Sequence, residues 1–324
     1  MGKAGYRKNG IYGQREKNGD SVNMGMFEKI LYTLNKKIQL TDYELTVDRN
    51  LPEDGLRIVQ VSDVQSEYFG ESQSFIKETV REIEPDLIVL TGDLLDRNRK
   101  DFTAAMDAAE GLTDFAPVFY VDGNHEMDIS FDETRAFYAE LAAAGICILF
   151  DKAHTVPVRG GRYFVSVMGL SEATVFHAHG QSGGTGRKER RRYQDASVIT
   201  QTIHRLAGES GARGGSDADG ASTAGDKRNL RILLSHEPQL IEYYAHPAID
   251  LVFTGHAHGG QFRLPGGRGL FAPDQGIFPK YTQGVHRCGK TQMIVSRGLG
   301  NSRFPLRLNN RPEIVQVIVK APCG

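Results

Sequence analysis

Between Leu56 and Phe150 short apolar runs alternate with amphipathic ones. "LRIVQV", "DLIVL", "PVFYV" and "ICILF" are separated by "ESQSFIKETVREIE", "DFTAAMDAAEGL" and "DETRAFYAELAAAG". Runs this short and this rich in Val, Ile and Leu suit strands buried on both faces. The segments between them carry apolar residues at helical spacing. Strand and helix in repeated alternation restrict the chain to an α/β fold, a largely parallel sheet with right-handed crossovers.

The regularity lapses after "RYFVSVMGL" and resumes with "LRILLSH", "IDLVFTGH", "TQMIVSRGLG" and "EIVQVIV". Residues 177–229 between them are rich in Gly, Ser, Ala and Asp. They read as a flexible insertion with a helix around "DASVITQTIHRLAGE", and the basic cluster Arg187 to Arg192 as a solvated face. Residues 1–25 have few apolar anchors and read as a mobile tail. Residues 26–50 form a lead-in helix and strand, and 51–324 the main domain. In "MFEKILYTLNKKIQL", Phe27, Ile30, Leu31, Leu34 and Ile38 recur at helical spacing among lysines. Such a helix packs on the domain, or rests at residues 26–40 on an anionic membrane surface.

Composition narrows the class. A formal net charge of −1 gives no broad electrostatic grip on nucleic acid, so no nucleic-acid partner is expected. Cys147, Cys288 and Cys323 lie far apart without CxxC spacing, which suggests neither a disulfide framework nor a structural zinc. No run approaches the roughly 20 apolar residues of a membrane span, and the N-terminus lacks the apolar core of a signal peptide. A cytoplasmic location, peripheral to the membrane if the 26–40 helix docks there, is the expectation.

Five stretches put polar residues directly after an apolar run: "VSDVQ", "LTGDLLDR", "VDGNHE", "LLSHE" and "FTGHAHGGQ". Residues just past the carboxyl ends of strands line the ligand crevice of an α/β sheet, so these stretches converge. Carboxylates, amide oxygens and imidazoles suit a pair of divalent cations, Mn²⁺, Fe, Zn²⁺ or Mg²⁺. One Asp can bridge two ions roughly 3.5 to 4 Å apart. The glycines before Asp93, Asn124 and His256 are expected to let the backbone turn sharply. If the chain stays extended past "LRIVQV", the period of two sends Asp63 and Gln65 to one face.

The ordered series resembles the calcineurin-like metallophosphoesterase superfamily, whose pattern is DxH, GDxxD, GNHE, an isolated His, then GHxH. "GHAHGGQ", followed by "RLPG", "FPKYTQG", "VSRGLG" and "RPEI", is similar to a bacterial subgroup of metal-dependent phosphohydrolases. That subgroup includes phosphodiesterases and enzymes compared with UDP-diacylglucosamine pyrophosphohydrolases. The match runs from about Leu51 to Val319 and omits 177–229. The resemblance implies a four-layer αββα sandwich and a small-molecule or lipid-linked phosphoester substrate. It implies that Asp63, His258 and position 65 hold a first metal, that Asp93 bridges, and that Asn124, His236 and His256 hold a second. His125 would hydrogen-bond the scissile phosphate and assist the leaving group, while a hydroxide bridging the ions attacks phosphorus in line.

At position 65 this chain departs from the family by offering glutamine. Either the amide oxygen of Gln65 coordinates, favouring Mn²⁺ or Mg²⁺ over Zn²⁺, or Gln65 does not ligate and the first metal is held by Asp63, Asp93, His258 and water. Asp96 is read as bracing the GDxxDR turn and Glu126 as organising the GNHE turn. Arg97 contacts phosphate or pairs with Asp96; Gln261 and Arg263 shape the pocket edge. His177 and His179 form an HxH at the margin of the insertion, and His154, His204, His246 and His286 have no comparable context. The leading expectation is a manganese-favouring dinuclear phosphohydrolase of phosphodiesters, phosphomonoesters or pyrophosphates. The alternatives are a non-catalytic phosphate-binding or regulatory module, motivated by Gln65, and a nuclease, which the neutral charge disfavours.

Overall fold

In the computed structural model, which describes residues 36–178, 196–212, 229–301 and 307–322, the apolar runs become strands of two mixed sheets. The elements are β1 (Gln39–Thr46), β2 (Leu56–Val61), α1 (Ser74–Ile83), β3 (Leu87–Thr91), α2 (Phe102–Glu110), β4 (Val118–Val121), α3 (Asn124–Met127), α4 (Phe131–Ala143), β5 (Cys147–Ile148), β6 (Lys152–Val158), β7 (Tyr163–Gly169), α5 (Glu172–Ala178), α6 (Ser197–Ala212), β8 (Asn229–Leu234), α7 (Ile241–Tyr244), β9 (Leu251–Thr254), β10 (Phe271–Ala272), β11 (Gly276–Ile277), β12 (Gly284–Cys288), β13 (Thr291–Val295) and β14 (Glu313–Lys320). The first sheet has the order β1-β14-β2-β3-β4-β5 and the second β12-β13-β9-β8-β7-β6. β2 to β5 run parallel, as do β7, β8, β9 and β13.

The strand period of two sorts side chains into three cores. Leu56, Ile58, Leu87, Val89, Phe119 and Val121 point between the sheets, where they meet Val165, Val167, Ile232, Leu251, Phe253 and Ile294. Their neighbours Val59, Val61, Ile88, Leu90 and Tyr120 face the other way, against Ile76 and Val80 of α1, Ala105 and Ala108 of α2, and Phe137 and Leu141 of α4. On the far side, Met168, Leu233, Val252 and Met293 pack on Val175 of α5, Ile199, Ile203 and Leu206 of α6, and Tyr244 of α7. Helix, sheet, sheet, helix is thus the layer order. Each fully buried Val, Leu or Ile contributes about 1.5–3 kcal/mol, so the central strands carry most of the stabilisation.

Several expectations change. The helix read over residues 26–40 falls mostly outside the described residues, and Gln39 and Leu40 at its end belong to β1, which pairs with β14. Lys36 turns inward: its Nζ donates to Glu67 Oε2 at 2.8 Å and to the Tyr68 carbonyl at 2.9 Å. "ICILF" yields only the two-residue β5; Leu149 N still donates to the Tyr120 carbonyl at 2.9 Å, and Leu149 and Phe150 then pack in separate cores. Within the span 177–229 the expected helix is present as α6, packed against the second sheet, and residues 179–195 and 213–228 lie outside the described residues. No helix among the described residues is long and apolar enough to cross a membrane.

At the carboxyl ends of the parallel strands the two sheets are tied together. Gln60 Nε2 donates to Thr91 Oγ1 and to the Thr254 carbonyl, both at 2.8 Å, which joins β2, β3 and β9 where the five polar stretches emerge.

Candidate metal centre

β2 ends at Val61, and Asp63 and Gln65 have φ of 53° and 55°, so the chain between them is not extended. They approach through left-handed turns rather than through the pleat. Asp93, His256 and His258 also have positive φ, of 53°, 65° and 44°. Side chains rarely accept that region, and holding five of them there costs of order 1–3 kcal/mol each. The surrounding core fixes them: Asp63 N donates to the Gly92 carbonyl at 3.0 Å, Gln65 N to the Asp93 carbonyl at 2.9 Å, and Gly300 N to the Asp63 carbonyl at 2.6 Å.

The glycines act differently from one another. Gly92 has φ of +86°, so there the backbone does need glycine. Gly123 is extended, with φ of −123°; its role is space, since a Cβ would collide with Asp93 Oδ1.

Asp93 lies at the centre, 1% exposed. Its Oδ1 accepts from His125 N at 2.9 Å, its Oδ2 accepts from Gln65 Nε2 at 2.7 Å, and His236 Nε2 stands 3.3 Å from the same Oδ2. His236 Nδ1 donates to the Thr91 carbonyl at 2.7 Å, so in neutral histidine the buried Nε2 is a lone pair with no hydrogen-bond partner. On the other side, His256 Nδ1 is 2.9 Å from Asn124 Oδ1. Asp93 Oδ2 and His236 Nε2 thus stand beside Asn124 Oδ1 and His256 Nδ1, with the two imidazole rings 5.0 Å apart, four atoms able to offer lone pairs to one cation. This donor set fits the second metal position.

Charge follows the same logic. Burial disfavours an ionised Asp93, but His236 and His125 outweigh it and hold the carboxyl well below its usual range. Burial also opposes a protonated His236, yet Asp93, Asp63 and Glu172 raise it well above an ordinary histidine. A bound ion would displace that proton.

The residues expected at the first metal position come together but are more fully satisfied by protein groups. One ligand atom each from Asp63, Asp93 and His258 lie within 4.8 Å of one another. Asp63 already accepts from Ser62 Oγ at 2.5 Å and from His256 N at 3.1 Å. Gln65 gives its NH₂ to Asp93 and leaves Oε1, an orphaned buried acceptor, as its available donor atom. The buried guanidinium of Arg307 lies 3.3 Å from His258 Nδ1 and donates to the Gly300 and Arg297 carbonyls. Burial, reinforced by Arg307 against the pull of Asp63, lowers His258 to about 4, so its imidazole is neutral.

Around these groups, Asp96 Oδ1 accepts from Asn98 N and Arg99 N at 2.9 and 2.8 Å, which braces its turn. Glu126 takes Asp93 N and Gly123 N on one oxygen and Leu95 N on the other, organising two loops at once. Burial and the Asp93 charge push it up to about 8. His125 is buried, with Nδ1 3.4 Å from Asp96 Oδ2 and Nε2 3.0 Å from Arg97 Nη2. Arg97 pairs with Asp128, not with Asp96, because the turn directs Arg99 toward Asp96 instead. Arg263 is buried against Gln283 and the Gly267 carbonyl, where it braces its own loop. Gln261 closes the turn after His258, its N–H donating to that carbonyl at 3.0 Å.

The remaining histidines stand elsewhere: His154 against Phe119, His204 against His246, and His286 on the Gln283 carbonyl. The His177 side chain and His179 lie outside the described residues, as does Cys323; Cys147 and Cys288 are free thiols. Sequence reasoning missed Ser62, Arg307 and Asp274. Ser62 is within one of the polar stretches, but Asp274 follows only the two-residue β10 and Arg307 lies in no apolar run, so no sequence signal marked them.

Residues 56–260 match the family model for calcineurin-like phosphoesterase, more than half of the chain. The chain belongs to that family. It is 27% identical over 272 residues to the uncharacterized metallophosphoesterase YkuE of Bacillus subtilis, covering 83% of this chain and 80% of that protein. It is 30% identical over 239 residues to phosphodiesterase YaeI of Escherichia coli, covering 73% and 71%. Among solved structures, a dimetal phosphatase from Danio rerio is similar over 76% of this chain and 88% of that one, with TM-score 0.38 and 14% identity. As a member of this family the chain is a metal-dependent phosphoester hydrolase.

Proposed function

We propose that the chain is a dinuclear phosphohydrolase whose second metal position is the tighter one, and that it acts on phosphodiesters or related small or lipid-linked phosphoesters in the cytoplasm. The observation that carries this reading is the cluster of lone pairs at Asp93, Asn124, His236 and His256, set against a first position where Gln65 and Arg307 already supply hydrogens. Two divalent cations, manganese favoured by the oxygen-rich first position, would supply an activated water and neutralise charge on the phosphoryl oxygens.

The chain's own residues do the rest. Asp93, which lies among Asp63 and His258 on one side and beside His236 on the other, would be the residue shared by the two ions. His125 is held beside Asp93 through its backbone N–H and beside Arg97 through its ring, which supports the proposal that these two side chains meet the phosphoryl group and the departing oxygen. Glu126 keeps the loops of Asp93 and Asn124 in register.

Two observations support the substrate class. A relative at 30% identity is named a phosphodiesterase, and the segment following His258 exposes Leu264, Phe271, Ile277 and Phe278, an apolar surface suited to a hydrophobic substituent. Membrane contact through residues 26–40 is part of the proposal, and absence of co-sedimentation with anionic vesicles would remove it. The hydrolase reading is tested with chelator-stripped protein resupplied with Mn²⁺. It should hydrolyse bis(p-nitrophenyl) phosphate, and a full panel of phosphomonoesters, phosphodiesters and nucleotide-linked lipids left uncleaved would overturn it.

A further inference from the structure

We propose that Asp274 is a positioning residue that fixes the tautomer of His256 and so keeps Nδ1 as the lone pair offered to the second ion; this rests on the dinuclear reading above. His256 Nε2 is 3.0 Å from Asp274 Oδ2, while Nδ1 is 2.9 Å from Asn124 Oδ1. An ionised carboxylate only accepts, so Nε2 carries the hydrogen and, in neutral imidazole, Nδ1 carries none. Two acceptors then face each other 2.9 Å apart, an arrangement made favourable by a cation between them. A carboxylate behind a ligating histidine is the usual means of orienting the ring and raising its basicity.

The turn that carries Asp274 is built to aim it. β10 and β11 pair Phe271 with Ile277 and Ala272 with Gly276, leaving Pro273, Asp274 and Gln275 as the connection. Asp274 has φ of 56°, a conformation that aspartate and asparagine tolerate better than most residues. Gln275 locks the far side: its Nε2 donates to the Tyr281 carbonyl at 2.7 Å and its Oε1 accepts from Tyr281 N at 2.8 Å. Leu270 N donates to the Gly260 carbonyl at 3.1 Å, which ties the hairpin to the loop of His258. Thus the apolar hairpin proposed to face substrate is mechanically joined to a metal ligand.

The test uses Asp274→Gly, which removes the carboxylate without straining the left-handed turn, and Asp274→Asn, whose amide oxygen still accepts from Nε2. In metal-free, ¹⁵N-histidine-labelled protein held at a pH high enough to leave the ring neutral, with the His256 signal assigned by its loss in His256→Gln, the full chain should show the Nε2–H form. Asp274→Gly should give a mixture of tautomers and a second-ion affinity lower by about 10- to 100-fold. Asp274→Asn should restore both. The proposal falls if Asp274→Gly leaves tautomer and affinity unchanged. It also falls if the native chain binds a third ion that Asp274→Gly abolishes, since Glu237, His256 and Asp274 would then be ligands of a separate cation. If tautomer and affinity respond as expected while the native chain cleaves no phosphoester, the positioning role stands and the hydrolase reading alone fails.

Discussion

Replacing Gln65 by histidine probes the asymmetry of the centre. In the native chain Gln65 Nε2 donates to Asp93 Oδ2 at 2.7 Å within a fully buried site, and Oε1 has no partner. A hydrogen bond to a charged group contributes about 1.5–3 kcal/mol net, and this one is lost when the amide turns its oxygen toward an ion among Asp63, Asp93 and His258. At about 1.4 kcal/mol per factor of ten, the rearrangement weakens the first ion by about 10- to 100-fold. Histidine accepts a left-handed φ better than most residues and offers a ring lone pair without breaking an existing amide bond. Gln65→His should therefore keep the turn, tighten the first ion by about tenfold or more, and leave the second ion little changed. Calorimetric titration of chelator-stripped protein with Mn²⁺, with bound metal counted by mass spectrometry, reads both affinities. Equal first-ion affinity in the two proteins, or a native chain that binds its first ion as tightly as its second, would refute the reasoning.

Three further outcomes follow from the same geometry. Asp93→Asn and His256→Ala should each abolish Mn²⁺-stimulated hydrolysis of bis(p-nitrophenyl) phosphate while circular dichroism stays native; full activity in both would contradict the assignment of the centre. Gly123→Ala places a Cβ on Asp93 Oδ1 from an extended backbone that any residue adopts, so steric displacement alone should cut kcat/KM by about a hundredfold; an unchanged rate would show that Asp93 has room to move. Burial pushes Asp122 up to about 7 from 3.8, against the pull of the Glu172 N–H it accepts. Its folded pKa is above its unfolded one, so its contribution to stability is full below about pH 4 and is lost as pH rises toward about 7, by about 1.4 kcal/mol per unit. Urea denaturation of metal-free Asp122→Asn should show a flatter fall over that range than the native chain, and parallel profiles would oppose it.

The sequence made the central strands legible because they are buried on both faces: "LRIVQV" is β2 to the residue, and "TQMIV" is β13. Edge strands were harder. β6 contains His154 and Pro157, and β12 is only partly buried, so neither presents the continuous apolar signal on which the reading relied. The short helix α5 escaped for the same reason. At the centre, the residues following strand ends were found because topology alone carries them to one place; their mutual approach through left-handed turns was not, since the pattern of residue types does not encode φ. Arg307 reaches His258 from 49 positions away, and Asp274 reaches His256 from a hairpin with two-residue strands. Contacts of that kind arise from packing and leave no local periodicity to read.

At these strand ends the proposed centre holds two cations with Asp93 between them. Anomalous scattering at the manganese edge from crystals grown with Mn²⁺ tests it directly. Two peaks roughly 3.5 to 4 Å apart are expected, the stronger among Asp93, Asn124, His236 and His256 and the weaker among Asp63, Asp93 and His258. Absence of any peak at Asp93, with manganese bound elsewhere on the chain, would contradict it.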